Sequence, residues 1–130
     1  MGDYTPIHSD WSSTATTSAA VTGGRLVAVS GDGTVAHTAG ADTAWLGVAG
    51  YDADSGAKLD IEHGGTQELV AAGAIAAGAQ VVSAADGKVA SLAAAAAGEA
   101  ADVNAARQVV GVARTAAADA DDPVRIQMER

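Results

Sequence analysis

Residues 21–36 read VTGGRLVAVSGDGTVA, and residues 75–90 read IAAGAQVVSAADGKVA. The two stretches align without a gap at an offset of 54 residues (75 − 21). Gly24/Gly78, Val27/Val81, Asp32/Asp86, Gly33/Gly87, Val35/Val89 and Ala36/Ala90 are identical pairs. Each copy has a small-residue turn, a β-rich run, Asp-Gly and a second β-rich run. Asp-Gly between apolar runs signals a hairpin because it supplies the positive φ that a tight turn needs. The match continues as Trp45-Leu46-Gly47-Val48-Ala49 against Val109-Val110-Gly111-Val112-Ala113, at offset 64 (109 − 45). Leu59-Asp60-Ile61 then matches Val124-Arg125-Ile126 at offset 65 (124 − 59). The extra residues of the second copy fall within Ser91–Arg107. Two copies are too few for a solenoid. The pattern implies one mainly β domain over residues 21–130, barrel-like or sandwich-like, made of two related hairpin-containing halves at 21–63 and 75–128.

Composition sets the physical problem. The chain has 130 residues, the size of one domain. Hydrophobic residues make up 48%, but 34 of them are Ala, against 14 Val, 5 Leu, 4 Ile and no Phe. Such a core buries little area per residue, and area removed from water is the main stabilising term. There is no Cys, which excludes disulfides and Cys-based zinc sites. Association with copies of itself or with a partner is the remaining source of burial.

The net charge of −9 disfavours nucleic acid, whose recognition needs Lys and Arg to displace counterions. It equally disfavours anionic membranes, and no apolar run approaches the ~20 residues of a membrane helix. The stretch MGDYTPIHSDW has no basic region followed by an apolar run, so no secretory signal is expected.

Residues 1–20 are polar, with Pro6, a Ser/Thr cluster and no strand or helix period, and read as an extended N-terminal arm. Tyr4, Pro6, Ile7 and Trp11 give that arm anchors for another chain, such as a neighbouring subunit, or Trp11 folds back on its own domain. Gly47 and Gly111 sit inside strand patterns, where glycine marks a bend or a close backbone approach. Lys58–His63 alternates apolar and polar residues, as a half-buried strand does. Ala93–Arg107 is either a short helix, on Ala propensity, or a long ordered loop.

Signals for chemistry are weak. Asp52-Ala53-Asp54-Ser55-Gly56 lacks the further ligands and closing Glu of a calcium loop and reads as a turn, as does Asp119–Pro123. His8, His37 and His63 are far apart in sequence, and no Ser lies in a nucleophile motif. No cofactor, metal site or enzymatic activity is expected.

Several features together resemble the small capsid-decoration, or cement, proteins of tailed bacteriophages. They are Thr22-Gly23-Gly24 leading into a strand, Gly47-Val48-Ala49, and Gly64-Gly65 before Glu68-Leu69-Val70. Ala74–Gly78, Asp86-Gly87-Lys88-Val89 and Gly111-Val112-Ala113 complete the set. The resemblance implies a β-rich protein, made in the host cytoplasm, that sits on the outer surface of the virion head. It implies the major capsid protein as partner, self-association as a homotrimer, and added contacts between neighbouring capsid proteins. The alternative is a trimeric fibre or baseplate adhesin domain that binds a host glycan. On this reading, removing residues 1–18 should leave a folded domain that no longer binds heads, measured by co-sedimentation with undecorated heads.

Overall fold

The computed structural model describes residues 10–92 and 108–130. The first half runs β1 (Trp11–Thr17), β2 (Leu26–Gly31), β3 (Thr34–His37), β4 (Trp45–Ala49) and β5 (Lys58–His63). The second runs β6 (Thr66–Val70), β7 (Gln80–Ser83), β8 (Val89–Ser91), β9 (Val109–Ala113) and β10 (Pro123–Met128). A 3₁₀ turn at Ala85–Gly87 joins β7 to β8. The expected helix or loop at 93–107 lies outside the described residues.

The first five strands close into a barrel in the order β1-β3-β2-β4-β5. The last five form a sheet in the order β6-β10-β9-β7-β8. These orders are the same once β1 is matched to β6, β2 to β7, and so on. The offsets seen in the sequence are offsets of register. Val27 faces Gly47 and Val81 faces Gly111, and each pair is followed by a register shift. Val21 bridges Ala53, and Ile75 bridges Ala117. Thr17 pairs with Val35 in parallel in the first half, and Ala71 makes a single parallel bridge to Val89 in the second. The second half is thus the same roll, held at its seam by one bridge.

At Trp11–Thr17 the structure corrects the reading of residues 1–20 as an arm. Trp11–Thr17 is a strand, antiparallel to β5 along six residue pairs and parallel to β3 at its end. The alternation was hidden because its inward residues are small: Ala15 packs against the core of the first half and Thr17 is buried. Its counterpart, β6, has Leu69 at the position of Ala15. Removing residues 1–18 would therefore take out the strand that closes the barrel, and the shortened chain would not report on head binding.

The core resolves the shortage of large side chains. Val21, Val27, Val35, Ala49, Leu59 and Ile61 fill the first roll. Their counterparts Ile75, Val81, Val89, Ala113, Val124 and Ile126 fill the second. Leu26, Ala28, Trp45 and Val48 leave the first half on its other face and pack into that second cluster. Each half thus covers the other, where the composition pointed to neighbouring subunits. Among the described residues the large exposed hydrophobics are Trp11 and Val29. Polar contacts lock the seam: Thr38 Oγ1 donates to Ala84 O at 2.7 Å, Ser83 Oγ to Gly40 O at 2.7 Å, and Arg130 Nη1 to Trp45 O at 2.9 Å. The Arg130 guanidinium also lies 4.2 Å from the centre of the Trp45 ring, a cation–π contact.

Gly47 and Gly111 mark the expected close approach. A Cβ on Gly47 would strike the carbonyl oxygen of Glu62, and one on Gly111 that of Gln127. Gly33 differs: its φ is +75°, but open space surrounds it. Gly111→Ala should therefore lower stability by about 1–3 kcal/mol through backbone displacement. Gly33→Ala should cost about 1–2 kcal/mol through its left-handed conformation alone. Urea unfolding checks both, and only the first should also shift the amide resonances of β9 and β10.

Candidate functional site

The point where β1 begins gathers the exposed aromatic surface. Trp11 is 58% exposed although it lies in a sheet. Its register partner is His63 at the end of β5. The two rings stack with centroids 3.9 Å apart and planes 9° from parallel. Trp11 thus shows one face to solvent while the other rests on a buried imidazole.

His63 is held from two further sides. Ser13 Oγ lies 2.6 Å from Nε2, and the Leu46 backbone acts on the ring as well. Burial pushes His63 below its ordinary value near 6.5, against the raising effects of the Leu46 carbonyl and Glu62. A serine beside a histidine is half of a nucleophilic site, but here the pair aligns β1 on β5 under an indole.

The same corner joins the two halves. Asp10 N–H donates to His63 O at 2.8 Å, and Gly64 N–H donates to Arg130 O at 3.0 Å. Gly64 and Gly65 follow with φ of 67° and 64°. Asp10 and Trp11 therefore sit at the hinge between the rolls.

Of the sequence-derived contact residues, Trp11 is placed on this surface. Tyr4, Pro6 and Ile7 lie outside the described residues. Trp45, the other tryptophan, is fully buried. His63 was missed as a supporting residue because its partners are long-range; Ser13 is 50 positions away. His37 is also structural. The Thr22 N–H donates to its Nε2 at 2.8 Å, so Nδ1 carries the proton and faces Leu26 O at 3.2 Å. Burial lowers its pKa; Leu26 O and Asp86 act to raise it and Arg25 to lower it. The acidic turns are turns: Asp52 Oδ1 accepts from Gly23 N at 2.8 Å, and Asp122 Oδ2 from Asp119 N at 3.0 Å. Asp121 bonds Lys88 at 2.6 Å, and that contact lowers its pKa. Among the described residues no group of three potential metal ligands converges.

The phage cement protein family matches residues 8–128, nearly the whole chain. The chain belongs to that family. It is thus a structural component of a phage head. Among solved structures it is similar to the N base of the head fiber gp8.5 of bacteriophage phi29, with a TM-score of 0.69 and 21% identity. That match covers 92% of this chain and 93% of the other. At this identity the likeness speaks for the fold. No match is found among curated protein sequences.

The two histidines give the cement protein a testable acid response. Both are held neutral in the fold, with pKa values below 6.5. The unfolded chain therefore binds more protons as the pH drops below 6.5. Their contribution is fully present above 6.5 and is lost as the pH falls through the folded values. Urea unfolding at neutral and at mildly acidic pH should show this loss. His37→Gln and His63→Gln should each flatten it.

Proposed function

We propose that this protein decorates the outer surface of a tailed-phage head, binds the major capsid protein, and acts there as a homotrimer. Trp11, with Tyr4, Pro6 and Ile7 ahead of it, supplies the contact to capsid or neighbour. The observation that carries this reading is the exposed indole of Trp11, held flat on His63 at the start of β1. A tryptophan that is already oriented loses little side-chain freedom on binding, and such residues dominate interface energetics. The surface also suits the role: a net charge of −9 keeps the protein off packaged nucleic acid.

Stabilisation then follows from linkage. A ligand that binds the assembled shell and not its separated subunits shifts the equilibrium toward the shell. Repetition over many equivalent sites multiplies a modest contact. No reacting group is needed for this work.

The test removes residues 1–9 and leaves β1 intact. The shortened protein should still unfold cooperatively in urea, since every strand of the barrel is kept. It should no longer saturate undecorated heads in co-sedimentation. Trp11→Ala should weaken head binding by about tenfold or more, the range of an interface hot spot. A protein lacking residues 1–9 that fills heads as the full chain does would end the role given to this segment.

A further inference from the structure

The two halves share a backbone but have diverged in charge at two matched positions that bond to each other. In the second half, Arg114 N–H donates to Arg125 O at 2.7 Å, and Arg125 N–H donates to Thr115 Oγ1 at 3.0 Å. In the first half, Gly50 N–H donates to Asp60 O at 2.8 Å, and Asp60 N–H donates to Tyr51 Oη at 3.2 Å. These are the same hydrogen bonds in the two copies. Where one half has Gly50 and Asp60, the other has Arg114 and Arg125.

The arginines line a cleft of about 250 Å³ together with Thr66 and Thr115. A second hollow continues it past Thr115, Arg125 and Glu68. Donors dominate this lining. Arg114 Nη1 donates to Thr66 Oγ1 at 3.3 Å, a neutral partner, and makes no ion pair among the described residues. Arg125 Nε reaches Glu68 at 3.9 Å, with both side chains about half exposed, so that pair is weak. Thr115 accepts from the backbone, and among the described residues its own proton has no acceptor. Two guanidiniums and a hydroxyl facing one cleft suit a carboxylate, which guanidinium binds in a planar, paired fashion.

The chain itself offers the ligand. It carries 16 Asp and Glu against 7 Lys and Arg, and two of those seven meet at this cleft. Copies of so acidic a protein repel one another unless a contact pairs opposite charges. Asp60 lies at the matching place on the first half and is half-buried. Its carboxylate has no hydrogen bond or ion pair among the described residues. We propose that the Arg114–Arg125 cleft of one copy receives the Asp60 face of a second copy, joining protomers head to tail. A contact between two different faces closes into a ring when its rotation allows. The proposal rests on the self-association given above and names the surface that makes it.

Sedimentation velocity of the full chain over a range of concentrations tests this contact at low and at high salt. The wild type should associate, and more weakly at high salt. Arg114→Glu/Arg125→Glu and, separately, Asp60→Arg should each weaken association by about tenfold or more. An equimolar mixture of the two proteins should regain pairing, because mixed contacts are complementary, while a three-membered ring would keep one mismatched contact. Thermal unfolding checks that each variant is folded, and Arg114→Gln/Arg125→Gln repeats the test without reversed charge. A wild type that stays monomeric at every concentration, a folded variant that associates like the wild type, or a mixture that regains nothing would overturn the contact. Co-sedimentation of the wild type with undecorated heads is read in parallel. Its failure would count against head decoration alone and would leave the result on the contact standing.

Discussion

Closure of the sheet edge is the constraint on which this protein depends. An open sheet leaves unpaired N–H and C=O groups along its margins. A chain with this little aliphatic bulk cannot hide them under large side chains. In the first half, β1 solves the problem by pairing with β5 on one side and β3 on the other. The interior that remains is narrow enough for valine, alanine and one leucine–isoleucine pair to fill. The second half repeats the solution with Ala71 and Val89 at the seam.

Tight closure brings backbones together, and this fixes two residues that carry no side chain. Gly47 and Gly111 lie against the carbonyls of Glu62 and Gln127, at equivalent sites beside equivalent bulges. Their conservation across the internal duplication has a steric cause. Elsewhere the copies were free to diverge. Gly56 holds a left-handed turn in the first half, while Asp121 does so in the second and gains a bond to Lys88.

The duplication made much of the fold legible in the sequence. Asp-Gly turns, Gly-Val-Ala strands and the alternation of Lys58–His63 gave hairpins, bends and faces directly. The first strand was not legible. WSSTATT and its structural equivalent GTQELVA share little beyond a hydroxyl at Ser12 and Thr66, so the repeat seemed to begin ten residues late. Its small inward residues removed the apolar rhythm that marks a strand. The site was legible only as a tryptophan in a polar stretch. What makes that tryptophan useful is His63, and no local pattern ties the two together. The arginine cleft was hidden similarly, since Thr66 lies on β6, Arg125 on β10 and Arg114 in the bend after β9, and they meet only after folding.

The corner at His63 and Gly64 holds a residue from near each end of the chain. Asp10 bonds one peptide and Arg130 the next. Anything attached at the carboxyl end would therefore emerge beside Asp10 and Trp11. The Asp32-Gly33 tip, exposed and ringed by open space, offers a mounting point separate from that corner. A passenger displayed there would ride on the hairpin without crowding the tryptophan.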